Sequence, residues 1–153
     1  MFRWTRYRDD PIAYDRDCER WATEGVWDEA AGIGLLTEFS GVFVVDVDVP
    51  IAEASEHLSS VTRMPVQVEK MTRGVSRTQS GRAHLLFATG DRPAEQLPTL
   101  STTTAEAIGC SRVEIKCHGA CVPLPPTVTE KGEYAWIQPP PDEQPLAPIP
   151  EWV

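Results

Sequence analysis

Three short segments constrain this chain more than anything else in it: Val44-Val45-Asp46-Val47-Asp48, Ser80-Gly81-Arg82-Ala83-His84-Leu85-Leu86-Phe87 and Arg112-Val113-Glu114-Ile115-Lys116. Each largely alternates apolar with polar residues, so each predicts a strand that shows its polar side chains on one face. In the first, Phe43, Val45, Val47 and Val49 point into a core while Asp46 and Asp48 share the opposite face. Aspartates two apart on a strand have Cα atoms about 7 Å apart, and their carboxylates can share a pair of cations about 3.5–4 Å from each other. Aspartate is depleted in strands, and two on one face repel unless a cation lies between them. Three carboxylates and a histidine can thus converge on one sheet surface, an arrangement suited to in-line phosphoryl and nucleotidyl transfer.

The chain has 153 residues and a hydrophobic fraction of 41%, enough for one domain that buries roughly two-thirds of its unfolded surface. Prolines crowd the end of the chain, which divides it into a domain over residues 1–138 and a proline-rich, extended tail over 139–153. Charged residues begin at Arg3, no apolar run reaches the ~20 residues that span a bilayer, and four scattered cysteines do not make a secreted disulfide framework. These features predict a soluble cytoplasmic protein with no membrane partner. The net charge of −9 argues against nucleic acid only on average. Residues 1–62 carry 5 basic and 13 acidic side chains, residues 63–92 carry 6 and 2, and residues 93–153 carry 3 and 8. The one basic segment holds Arg77, Arg82 and His84, a local positive potential suited to a metal-bound nucleoside triphosphate.

Local signals order the remaining elements. Asp10 and Pro11 open a helix over 10–30, with Cys18 and Trp21 on its apolar stripe. Thr37 to Gly41 is a turn between two strands, and Pro50 ends the Asp-x-Asp strand before a helix over 51–61. Val66-Gln-Val-Glu reads as a short strand, Arg77 to Phe87 as a turn and strand, and Thr102 to Ile108 as a short helix stopped by Gly109. Cys121-Val-Pro123 reads as a hairpin-like return from the Glu114 strand, and Tyr134-Ala-Trp136-Ile as an edge strand.

Asp46-x-Asp48, Ser80-Gly-x-x-His84-Leu-x-Phe87 and Glu114 within Val-Glu-Ile-Lys resemble the three motifs of the archaeo-eukaryotic primase superfamily. More narrowly, the chain resembles the bifunctional DNA primase/polymerase N-terminal domain of replication proteins. Gly32-Ile-Gly34-Leu-Leu-Thr37, Pro125-Pro126, Gly132-x-Tyr134-x-Trp136 and Leu146-Ala-Pro148-x-Pro150-x-Trp152 extend the match over most of residues 15–153. The resemblance implies an α+β fold, a small mixed, mainly antiparallel sheet with flanking helices. It implies that Asp46, Asp48 and Glu114 are catalytic and hold two divalent cations, Mg²⁺ or Mn²⁺, and that His84 contacts the incoming triphosphate. Ser80 and Arg82 lie on the His84 face of an extended strand and are the next nucleotide contacts, with Arg82 and His84 on the side away from the carboxylates. Arg112 and Lys116 share the Glu114 face, where Lys116 can bind nucleotide phosphate or orient the carboxylate. The implied activity is template-directed nucleotidyl transfer on single-stranded DNA, with a helicase or other replication protein as a further partner. Against the family pattern the chain is short at its N-terminus.

Other readings stay open beside these. A non-catalytic nucleotide- or DNA-binding remnant would keep the same motifs, and a metal-dependent nuclease uses similar carboxylates but gives His84 no triphosphate. Arg112 and Lys116 could also make the Glu114 strand an ordinary ion-pair face. Cys110, Cys117, His118 and Cys121 lack the paired Cys-x-x-Cys spacing of a zinc knuckle, so free thiols, and no zinc, are expected. The five tryptophans are read as packing residues before base-stacking ones.

Overall fold

Phe43, Val45 and Val47 are all 0% exposed, which a strand achieves only when it is flanked on both edges and covered on its apolar face. In the computed structural model, which describes residues 10–25, 32–92, 96–97, 100–101, 105, 109–140, 142 and 145–152, that strand lies within a layered α+β fold. The elements before it are α1 (Pro11–Thr23), β1 (Ile33–Leu36) and the single turn α2 (Thr37–Ser40), followed by β2 itself (Val42–Val47). A 3₁₀ turn at Ile51–Glu53 leads into α3 (Ala54–Thr62), α4 (Val68–Met71), β3 (Gly74–Arg77) and β4 (Ala83–Ala88). The chain continues with β5 (Val113–Lys116), β6 (Cys121–Leu124), β7 (Val128–Thr129), β8 (Gly132–Glu133) and β9 (Ala135–Gln138). No helix of the described residues is long and apolar enough to cross a membrane.

One five-stranded sheet in the order β5-β2-β4-β3-β9 carries the fold, and all its pairings are antiparallel. Its two faces differ. Phe43, Val45, Val47, Val75, Leu85, Phe87, Val113 and Ile115 pack on one side against Ala54 and Leu58 of α3 and against Val66 and Val68. On the other side Val44 and Leu86 meet Val122, with Leu35, Leu124, Trp136 and Leu146 around them. That second cluster is covered by the two-stranded β1-β6 sheet, in which Leu35 lies opposite Val122. Burial of each large core side chain contributes about 1.5–3 kcal/mol, so the eight-residue face dominates the stability of the sheet.

Local chemistry explains the ends of the elements. Asp10 accepts a hydrogen bond from the Ala13 amide at 3.1 Å, and Gly25 takes the left-handed conformation (φ 70°) beyond the end of α1. Residues 26–30 of the expected helix lie outside the described residues. So does most of the short helix expected over 102–108, of which Ala105 is described and buried. The edge strand expected at Tyr134–Ile137 is β9, at the margin of the sheet.

Two expectations are corrected. The strand expected at Val66–Glu69 is instead a loop leading into α4. Val66 and Val68 are both buried, as an alternating strand would have them, but their amides donate to Ser59 Oγ at 2.8 Å and Ser55 Oγ at 3.1 Å. Serines of α3 thus take the donors that a ladder would need. The hairpin expected between Glu114 and Cys121 does not form either, because β6 pairs with β1. The outer edge of β5 is already taken by Leu100, which exchanges two backbone hydrogen bonds with Ile115 at 3.2 and 2.9 Å. β3, absent from the sequence reading, begins at Gly74, where a Cβ would stand 2.8 Å from that of Leu86.

The proline-rich segment runs along the molecule. Ala147, Ile149 and Trp152 pack on the main core, and the Ala88 amide donates to the Ala147 carbonyl at 2.8 Å. Phe43→Ala is expected to cost about 3–5 kcal/mol, since the surrounding sheet cannot collapse into the space left. A urea titration should show it as a lower midpoint at unchanged slope.

Candidate active site

Register decides which polar side chains meet. Asp46 of β2 lies directly opposite Glu114 of β5 on one edge and His84 of β4 on the other. His84 in turn lies opposite Ser76 of β3, and Ser76 opposite Trp136 of β9. Directly opposed residues of antiparallel strands point to the same face. One row therefore crosses all five strands as Glu114, Asp46, His84, Ser76 and Trp136. It lies on the face away from Phe43, Val45 and Val47, as the alternation of β2 requires.

The histidine is the most enclosed titratable member of the row. Its side chain is 7% exposed, and its Nε2 stands 3.6 Å from Asp46 Oδ1. The rings of His84 and Tyr134 are 6.1 Å apart at 33°. Burial, and secondarily the negative charge of Asp46, raise the Tyr134 phenol above its ordinary value of 10.0, so Tyr134 is a neutral hydroxyl at physiological pH. His84 Nδ1 and Ser76 Oγ are both buried without a hydrogen-bond partner.

Asp48 sits just past the end of β2, where its amide donates to the Arg112 carbonyl at 2.8 Å. Its carboxylate accepts from Arg82 Nη1 at 2.5 Å. Arg82, like His84, thus stands beside a carboxylate, where the expectation put both on the side away from the carboxylates. The reason is register: β4 lies next to β2, so the residue leading into β4 faces the residue leaving β2. Ser80 is outside the strand as well. It is exposed in the tight turn before Arg82, with its Oγ 3.1 Å from Thr78 Oγ1, and Gly81 closes that turn at φ 79°. Lys116 pairs with the Glu114 carboxylate two residues away on the same face.

The donor set suits a hard divalent cation. Asp46, Asp48 and Glu114 offer only carboxylate oxygens, the ligands of Mg²⁺ and Mn²⁺, and the direct opposition of Asp46 and Glu114 is a like-charge pair that a cation would relieve. Among the described residues, no three His, Cys, Asp or Glu side chains are gathered as a group able to hold a metal. Arg82 and Lys116 stand instead as counter-ions to two of the three carboxylates. Of the residues weighed for zinc, Cys117 is buried, Cys121 exposed, and His118 Nδ1 lies 3.7 Å from Glu38.

Sequence reasoning missed Ser76 and Tyr134 as site residues. Ser76 sits in Gly74-Val75-Ser76-Arg77, too short and too weakly β-forming to declare a strand. Tyr134 had a faint signal, its spacing of two from Trp136, but only the fold brings it beside His84.

Residues 6–152 match the protein family described as bifunctional DNA primase/polymerase, N-terminal. No curated protein and no solved structure matches the chain. Asp46→Asn is expected to lower the Tyr134 titration midpoint, because it removes one of the two causes of the shift. The midpoint should stay above 10.0, since burial is the larger cause. Ultraviolet titration of the variant against the parent, with Tyr134→Phe to identify the signal, measures it.

Proposed function

From the premise that this chain belongs to the bifunctional DNA primase/polymerase N-terminal family, we propose that it is a template-directed nucleotidyltransferase acting on single-stranded DNA. The observation that carries this reading is the row of Glu114, Asp46 and His84 on three adjacent strands. It sets two carboxylates and an imidazole side by side on one rigid surface. The 3′-hydroxyl of a primer, or of a first nucleotide, attacks the α-phosphorus of an incoming triphosphate. The new P–O bond forms as the bond to the bridging oxygen breaks; pyrophosphate leaves, and the hydroxyl proton passes to water. Mg²⁺ or Mn²⁺ ions held by Asp46, Asp48 and Glu114 would supply charge stabilisation to the attacking and leaving oxygens.

The protein's own side chains bind and orient. His84 donates a charge-assisted hydrogen bond to a phosphate oxygen from a site that is nearly closed to solvent. Arg82 and Lys116, already close to the carboxylates, neutralise phosphate charge at the open side of the row. Tyr134, neutral and next to His84, walls the ring. In this reading the single-stranded template runs over the same sheet face, and a helicase or another replication protein works beside the domain.

A second reading has its own observation. The pairing of Asp48 with Arg82 and of Glu114 with Lys116 also suits a domain that binds nucleotide or DNA without catalysing transfer. Primer extension and de novo priming on single-stranded DNA with Mn²⁺ separate the two, since the binding module gives no product. The double change Asp46→Asn, Asp48→Asn is expected to abolish incorporation while the protein stays folded. The only described ion pair it removes that is not to a histidine is solvent-accessible and worth about 0–1 kcal/mol. Incorporation by the folded double variant would refute the assignment. His84→Ala is expected to weaken a non-hydrolysable triphosphate by about 1.5–3 kcal/mol, the worth of a hydrogen bond to a charged group, with oligonucleotide affinity nearly unchanged in parallel titrations.

A further inference from the structure

Two buried polar atoms lack a partner on adjacent strands, and they belong to opposed residues. Among the described residues, the buried side-chain atoms without a hydrogen bond are Ser40 Oγ, Ser76 Oγ and His84 Nδ1. Ser76 and His84 are register partners across β3 and β4. Ser76 is 0% exposed, so its hydroxyl has no solvent to turn to. A buried polar group left unpaired is costly. Two of them side by side, one able to donate and the other able to accept, point to a single interaction.

The chemistry of the row sets its direction. His84 Nε2 faces Asp46 Oδ1 at 3.6 Å, and an ionised carboxylate only accepts. A neutral ring that presents a donor on that side bears its proton on Nε2. In the neutral imidazole the other nitrogen is then an acceptor, and it is buried. Opposed residues on antiparallel strands have Cβ atoms about 4.5–5.5 Å apart, a gap that one hydroxyl arm and one imidazole ring close with a bond of about 2.7–3.2 Å. Rotation of Ser76 about its Cα–Cβ bond moves Oγ among three staggered positions, so no backbone movement is needed.

We propose that Ser76 is the positioning residue of His84: its hydroxyl donates to Nδ1, fixes the imidazole as the Nε2–H tautomer and aims that N–H along the carboxylate row. Which nitrogen of a histidine bears the proton is set by the hydrogen bond that the other one makes. Without Ser76 the ring can flip or change tautomer, and Nε2 becomes an acceptor turned toward an anion. The consequence for ligand binding rests on the reading of this site as a triphosphate site, whereas the tautomer assignment does not.

The test uses the whole chain with ¹⁵N-labelled histidine, His84 being identified by loss of its signals in His84→Gln. Long-range ¹⁵N–¹H spectra above the titration of the ring are expected to show Nε2 protonated and Nδ1 as a hydrogen-bonded acceptor. A parent protein whose His84 is protonated on Nδ1 overturns the proposal without any variant. Ser76→Ala is expected to raise the minor tautomer several-fold and to remove the hydrogen-bonded Nδ1 signature, while Ser76→Thr, which keeps the hydroxyl, restores it. An unchanged His84 spectrum in Ser76→Ala overturns the proposal, because another group would then hold Nδ1. Titration with a non-hydrolysable triphosphate is expected to be about three- to tenfold weaker in Ser76→Ala, the factor corresponding to a neutral hydrogen bond. Failure of the underlying site reading looks different: His84→Ala would leave triphosphate affinity unchanged while the tautomer result stood.

Discussion

The pairing of β2 with β4 on one edge and β5 on the other is the constraint on which everything else depends. Side chains on a strand alternate with a period of two, so a slip of one residue in either pairing would send Glu114 or His84 to the opposite face of the sheet. The apolar face prevents that slip. Moving Val45 and Val47 out of the core they share with Leu85, Ile115 and Phe87 would expose several side chains, each worth about 1.5–3 kcal/mol when buried. Against that, opposed like charges such as Asp46 and Glu114 cost at most about 1 kcal/mol. Hydrophobic burial therefore wins, and the polar row is assembled as the other side of a well-packed strand.

The polar face is held by weaker forces. Arg82 with Asp48 and Lys116 with Glu114 are partly solvated pairs, of little consequence for stability. They matter more as a distribution of charge. Each brings a cation within reach of an acidic site, so two of its three carboxylates carry a counter-ion. The closed part of the row, His84 and Ser76, differs in kind from its open part. A phosphate or a cation can reach the carboxylates from solvent, while the enclosed histidine depends on protein neighbours for its orientation.

The clearest successes and failures of the sequence reading share a cause. Alternation exposed β2, β4 and β5, and the Asp10-Pro11 start of α1 was legible because caps act within a few residues, whereas the end of α1 at Thr23 fell short of the expected 10–30 span. Val66 and Val68 alternated like a strand but were claimed by serine hydroxyls of α3, a contact between separate segments. β6 followed β5 closely enough to suggest a hairpin, but Leu100 had already taken the free edge. Ser76 carried no local mark, and the mark on Tyr134, its spacing from Trp136, did not place it beside His84.

By itself the sequence determined which faces exist. The pleat assigns Asp46 to one side of its strand and Phe43, Val45 and Val47 to the other, whatever the neighbours are. It also determined the family, since ordered motifs are a property of the chain. Only the tertiary structure decided which polar residues stand together: Glu114, Asp46, His84 and Ser76 come from four segments, and their meeting depends on strand order and register. It decided, too, that Arg82 lies against Asp48 and that Ser80 stays in a turn. The physical reason is range. Periodicity and capping are local and survive in an isolated segment, whereas register is selected by the burial of a whole sheet at once.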